Sequence, residues 1–286
     1  MALLGRRLSV AFPDTILEER DSPRDKTVKL GLIARACSIY GVDVIQVFRD
    51  VKKRGEPALI KKVLEYLETP QYLRRRLYPL DEMLRYAGLL PPLRIPSHKP
   101  KVPIEKLTVG ETREGVTNSD GTVDIGLDRN PRLQQRIGVD RRVTVRIAST
   151  TPLLAEIIPR DQVNGYWGYM VETRTAEEVF SDPRFPLRVA TSRFGNSLQS
   201  QAPGLRSAVL KTGGVKLIFG SPSRGLFEIV GPELASRSDF VVNLFADQHV
   251  ETVRAEEAIF AGLGLVNMLI VSESLSANRE TGFRNG

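Results

Sequence analysis

The sequence predicts an α/β protein with a mostly parallel sheet and a small all-β unit set into it, and three observations carry that prediction. The N-terminal stretch runs strand, helix, strand. A middle stretch breaks into short alternating runs separated by turn residues. After Arg184 and Pro186 the strand–helix rhythm resumes.

LSVAFP, Leu8 to Pro13, reads as a buried strand. Thr27 to Ser38 reads as a helix whose Val28, Leu30, Leu32, Ile33 and Ala36 recur at the mixed spacings of a mostly buried face. VDVIQVF, Val42 to Phe48, is the second strand, so the pair should be parallel with a crossover. Pro57 to Leu67 is helical: a proline costs little in the first turn, and Thr69-Pro70 stops the helix. YLRRRLYPLDEMLRYAG continues as helix. The proline-rich LLPPLRIPSHKPKVP, Leu89 to Pro103, suits neither helix nor central strand and marks a boundary.

From Thr112, the runs TREGVT, TVDIGL, RRVTVRI and LLAEIIP, with a turn at Asn118 to Gly121, make a unit of roughly five strands, the size of an OB-like barrel. The insertion is drawn at 102–178, leaving 1–101 and 179–286 as one discontinuous domain. LRVATS, a helical GLRSAVLKTGG, VKLIFG and DFVVNLF then restore the α/β pattern. A last helix from about Thr252 to Val271 is apolar almost all round and belongs in the core. The tail ESLSANRETGFRNG reads as frayed polar chain.

Composition narrows the function. The chain has 286 residues with 41% hydrophobic content, enough for a real core, and 41 Lys+Arg against 34 Asp+Glu leave a net charge of +7. The basic residues are mostly Arg, whose planar fork suits phosphate, so an anionic partner is expected. The single Cys37 excludes an internal disulfide and lies among Ile33, Ala34, Ala36 and Ile39 as a small core hydrophobe. With only His98 and His249 beside it, no metal site is expected. No apolar run reaches the ~18 residues of a membrane span, and a cytoplasmic location follows as the expectation.

Three strands on the C-terminal side end in small or polar residues: TSRFGNS after Ala190, GSPSRG after Phe219 and ADQHVETVR after Phe245. In open α/β sheets ligands collect outside the carboxyl ends of strands, so these loops are candidates for one site. GSPSRG has P-loop glycine spacing, but Leu226 and Phe227 stand where the phosphate Lys and the magnesium hydroxyl are needed, which excludes Walker-type hydrolysis. The GLG at Gly262 to Gly264 lies inside a helix, where it permits close packing. In the middle unit Arg129, Arg132, Arg136, Arg141, Arg142 and Arg146 crowd into eighteen residues. Clustered Arg can bridge phosphates and stack on bases, which makes them the expected RNA contacts; solvated faces beside Asp128 and Asp140 are the alternative.

Three segments carry a family resemblance: LSVAFPDTILEE with LGLIARACSIYGVDVIQVF, VKLIFGSPSRGLFEI, and NLFADQHVETVRAEEAIFAGLGLVNML. Together they resemble the SPOUT class of methyltransferases, and within it the archaeal and eukaryotic RNA methyltransferases with an inserted β-barrel. The resemblance covers nearly the full length. It implies a C-terminal trefoil knot, S-adenosylmethionine held between the knot loops, and a homodimer that completes the site. On this chain it implies cofactor contacts from Thr191, Ser192, Gly220, Asn243, Leu244, Phe245 and Val253. The implied activity is methyl transfer to RNA, with ribosomal RNA and a uridine ring nitrogen favoured. A non-catalytic RNA-binding or ribosome-assembly protein on the same scaffold is the alternative.

Methylating a uridine ring nitrogen calls for a guanidinium to stabilise the developing anion and a carboxylate to accept the proton. Arg254 is the expected stabiliser, Glu257 the expected base, and Arg193 an alternative anchor for a flipped nucleotide. Arg254 and Glu257 also suit a surface pair one turn apart, and Thr252 a helix cap.

Overall fold

The computed structural model describes residues 6–17, 20–135 and 137–271; Arg136 and the tail from residue 272, both singled out above, lie outside the described residues. In chain order, β1 (Arg7–Pro13), α1 (Pro23–Ile39), β2 (Val44–Phe48) and α2 (Pro57–Glu68) come first. The middle holds α3 (Gln71–Leu77), β3 (Thr112–Thr117), β4 (Val123–Asp124), β5 (Arg132–Leu133), β6 (Arg142–Thr150) and β7 (Leu153–Ile157). Then follow β8 (Met170–Arg174), α4 (Ala176–Ser181), β9 (Leu187–Ser197), α5 (Leu198–Lys211), β10 (Gly214–Ile218), α6 (Leu226–Ile229), α7 (Leu234–Arg237), β11 (Phe240–Asn243) and α8 (Ala255–Val271). The chain divides into two compact units, Met1–Leu64 with Tyr169–Gly286, and Glu65–Gly168.

The larger unit is built on one six-stranded sheet in the order β11-β9-β10-β1-β2-β8, parallel throughout. β8 pairs with β2, Val44 opposite Met170, so a segment placed from sequence inside the 102–178 insertion, where no strand was expected, belongs to this sheet. One cluster of its core joins Ala11, Phe48, Ala190 and Ile218 of the sheet with Phe180 of α4 and Leu226 of α6. α8 packs on α1 and α5. The glycines of α8 make close approach possible: a Cβ at Gly262 would stand 2.9 Å from Leu244 Cδ1, and one at Gly264 2.8 Å from Tyr40 Oη. Cys37 is buried in this core, and burial pushes its thiol pKa up, so it is inert packing.

Capping explains why two helices begin before their apolar pattern does. The Asp25 N–H donates to Ser22 Oγ at 3.1 Å and Pro23 opens α1, ahead of the periodic residues that begin near Thr27. The Ser200 N–H donates to Ser197 Oγ at 3.2 Å at the head of α5. The helix expected to run through YLRRRLYPLDEMLRYAG stops at Leu77, because Pro79 disfavours helix at Tyr78; two short 3₁₀ turns, Glu82–Leu84 and Ala87–Leu89, follow.

The smaller unit holds a five-stranded sheet in the order β4-β3-β6-β7-β5. Its core includes Val123, Ile125, Val143, Val145, Ile147 and Ala155. The two outermost strands meet through a bridge between Thr122 and Arg132, and the Val123 and Leu133 N–H groups donate to Pro131 O and Gly121 O, both at 3.0 Å. The sheet therefore curls nearly closed, which leaves little exposed edge.

Candidate active site

β9, β10 and β11 lie side by side, so the segments at their carboxyl ends come together. They wall a cavity of about 320 Å³, within the range of small-molecule and cofactor pockets. Thr191 and Ser192 come from β9, Gly220 from the turn after β10, and Asn243, Leu244 and Phe245 from the end of β11. Val253, just before α8, completes the set, so all seven residues expected at the cofactor line this one cavity.

The walls are held by short polar contacts. Thr191 Oγ1 donates to Ile218 O at 3.0 Å, tying β9 to β10. Asn243 works in both directions: its Nδ2 donates to Arg193 O at 3.0 Å, and its Oδ1 accepts the Phe245 N–H at 3.0 Å. At Gly195 a Cβ would stand 2.6 Å from Val241 O, so only glycine lets β9 and β11 approach where their register shifts. Gly220 is similarly confined: a Cβ there would stand 3.0 Å from Arg224 O and 3.2 Å from Gly225 Cα.

The loop 221–225 closes on itself, the Ser221 N–H donating to Arg224 O at 2.9 Å. It is anchored by Arg224, whose guanidinium pairs with the buried Asp50 and donates to Glu228 O at 2.7 Å. The Asp50 N–H donates in turn to Asp14 Oδ1 at 3.0 Å. Burial, with the Asp50 charge adding, raises the Asp14 carboxyl above its ordinary range against hydrogen bonds that lower it. Sequence reasoning missed Arg224 and Asp50. The readable signal was that β1 and β2 end at the same edge of the sheet in Asp14-Thr15 and Arg49-Asp50.

Of the three residues expected to act on substrate, Arg193 lines the cavity. Arg254 lines a neighbouring hollow with Arg20, Asp21, Lys29 and Glu256. Glu257 works at the helix end: α8 begins at Ala255, not near Thr252, and Glu257 Oε2 accepts the Arg254 N–H at 3.0 Å. The carboxylate thus meets the Arg254 backbone and not its guanidinium, so the alternative of a surface side-chain pair is not what forms. The arginines of the smaller unit also separate. Arg129, Arg132 and Arg141 are exposed. Arg146 pairs with Glu156 at 3.3 Å. Arg142 is held by Glu68 at 2.7 Å and Glu114 at 2.8 Å, so its charge is spent inside the unit and is not available to RNA as expected.

Among the described residues no three His, Cys, Asp or Glu side chains gather as a metal site, and no helix is long and apolar enough to cross a membrane. Comparison with known proteins places the chain in a family. Residues 7–266 match the family model described as "Putative RNA methyltransferase". The chain belongs to this RNA methyltransferase family. The SPOUT-class resemblance read from the sequence therefore holds. The methyltransferase is 32% identical over 298 residues to the 28S rRNA (uridine-N(3))-methyltransferase of Mus musculus, covering 90% of this chain and 74% of that protein. It is equally 32% identical to the Homo sapiens protein of the same description, over 90% of this chain and 76% of that one. An uncharacterised protein of Halobacterium salinarum is 29% identical, over 91% and 98% of the two chains.

Proposed function

We propose that this methyltransferase moves the methyl group of S-adenosylmethionine to a ring nitrogen of a uridine in ribosomal RNA. The observation that carries the reading is the single cavity lined by Thr191, Ser192, Gly220, Asn243, Leu244, Phe245 and Val253 at the strand ends. The cavity suits the cofactor: half-buried Leu244 and Phe245 offer an apolar slot for an adenine, hydroxyls and the Asn243 amide offer polar contacts, and the glycine-confined backbone leaves room for close approach. When bound, the cofactor supplies an electrophilic methyl group. Arg193, in the cavity wall, holds the guanidinium that would stabilise negative charge on the uracil carbonyls as the ring proton passes to solvent water at the open cavity and the nitrogen takes the methyl group. Arg254, outside this wall, would act from the neighbouring hollow, and Glu257 serves the helix end. The remaining work is alignment, which confinement by three strand ends favours.

The uridine target is supported by the names of the mouse and human relatives. RNA capture falls to the smaller unit through Arg129, Arg132 and Arg141, and its nearly closed sheet supports an OB-like barrel. The knot of the class would run from Leu244 to α8, and the close packing of Gly262 on Leu244 and Phe219 supports that reading. Val28, Leu32 and Ile39 of α1 and Phe260 and Met268 of α8 leave apolar surface exposed, which supports a homodimer through these helices. The reading is tested with labelled cofactor and unmodified large-subunit rRNA transcripts followed by nucleoside analysis. Label in a base-methylated uridine is the expected result; label in ribose or in another base, or no cofactor binding by calorimetry, overturns it.

A further inference from the structure

Phe194 stands apart from the other large apolar side chains of the cavity wall. Phe219 is buried and Leu244, Phe245 and Phe227 are half-buried, whereas Phe194 is 70% exposed. Its backbone is nonetheless fixed on both sides. The Phe194 N–H donates to Ser192 Oγ at 3.2 Å, Asn243 holds the carbonyl of Arg193, and Gly195 is pressed against Val241. The Arg193 guanidinium lies over the Phe194 ring, 4.8 Å from its centroid. The exposed ring is thus a positioned π face with a cation stacked beside it.

The neighbours of this ring identify what would cover it. Ser192, Arg193 and Asn243 are polar, unlike the apolar surroundings that mark the centre of a protein–protein contact. An aromatic face beside a guanidinium at the wall of a polar cavity is the combination that receives an unstacked nucleobase: stacking is tolerant of base identity, and the guanidinium adds hydrogen bonds or a second stacking plane. A base must leave its stack before its ring nitrogen can be reached, so such an enzyme needs a surface to hold it. We propose that Phe194 and Arg193 form the stacking subsite for the flipped base of the RNA substrate, Phe194 supplying the face and Arg193 the polar anchor. The inference rests on the reading of this protein as acting on RNA, and it adds Phe194 as the residue that fixes the base before transfer.

The test uses the full chain, S-adenosylhomocysteine and a large-subunit rRNA transcript carrying 5-iodouridine, irradiated and mapped by peptide mass spectrometry. An adduct on Phe194 is expected; adducts confined to other residues overturn the subsite. In parallel, Phe194→Leu should lower kcat/KM for RNA roughly five- to hundredfold, the range of losing one base stack, with cofactor affinity unchanged, and Phe194→Tyr should restore most of it. Parental kinetics in Phe194→Leu, or a change in its sedimentation showing that the ring is covered by a second copy, overturns the proposal. The two readings fail separately: methyl transfer without the adduct removes the subsite alone, and the adduct without methyl transfer removes the enzymatic reading alone.

Discussion

In the smaller unit, Glu68, Glu114, Arg142 and Arg160 meet one another under cover, whereas the cavity of the larger unit is walled mainly by backbone, hydroxyls and half-buried apolar side chains. Glu114 accepts from Arg142 Nε at 2.8 Å, Thr144 Oγ1 at 2.6 Å and Trp167 Nε1 at 2.6 Å. Burial alone would raise its pKa, but Arg142 and these donors bring it below the ordinary carboxylate range. Each of these four charges has a partner, and a charge so satisfied shapes a fold and leaves nothing to offer a ligand. At the cavity the opposite holds, since Arg193 and the strand-end backbone keep faces open.

The sharpest way to break this contrast is Glu114→Ala, which strips an acceptor from three donors at once and leaves Arg142 paired with Glu68. Each buried donor left without an acceptor costs about 1–3 kcal/mol, so losing the acceptor of Thr144 and Trp167 together should lower the urea midpoint steeply. A loss near that of an exposed pair, about 0–1 kcal/mol, would mean that water reaches the network.

Next in size is charge reversal of Arg129, Arg132 and Arg141 to Glu. These exposed side chains should carry phosphate contacts, so RNA affinity should fall and the slope of log K against log salt should flatten by about one for each phosphate no longer neutralised. An unmoved slope would assign RNA capture to another surface. Gly220→Val should follow, weakening S-adenosylmethionine about tenfold or more, equivalent to about 1.4 kcal/mol, with little change in the urea midpoint. Its added carbon would meet the Arg224 carbonyl at 3.0 Å and push the cavity wall outward. Unchanged affinity by calorimetry would take Gly220 out of the site.

The elements of the larger sheet were legible because their apolar runs and breakers are local: Leu8 to Pro13 and Val42 to Phe48 read directly as strands. The cavity was legible from three strand-end loops for a related reason, since topology brings carboxyl ends together. What could not be read is whatever depends on partners distant in sequence. Arg142 sits among five similar arginines, and only the fold brings it to Glu68, 74 positions away. Arg224 finds Asp50 across 174 positions, and no spacing rule reaches that far. The alternative of a side-chain pair between Arg254 and Glu257 gave way at short range, because the helix starts at Ala255 and Glu257 caps the Arg254 N–H there.

Acid offers the mildest test of the two regions. In the smaller unit, the half-buried His98 ring nitrogen Nε2 lies 2.8 Å from Glu68 O; a carbonyl only accepts, so Nε2–H donates. Burial first, then Arg74 and Arg142, push its pKa from 6.5 down to about 4, although the Glu68 carbonyl opposes them. The unfolded chain therefore takes up this proton near pH 6.5 while the folded chain resists until about 4. Stability from His98 is complete above pH 6.5 and drains as the pH falls towards 4, with a slope of at most about 1.4 kcal/mol per pH unit. Asp14 in the larger unit has the opposite sign: its raised pKa makes the folded chain hold a proton that the unfolded chain releases, so acidification through that window favours the fold at this group. Urea midpoints at pH 7, 6 and 5 should therefore fall for the parent and fall less for His98→Gln, whatever that substitution costs at neutral pH. Parallel curves for the two proteins would show that the imidazole stays as accessible to protons in the folded chain as in the unfolded one.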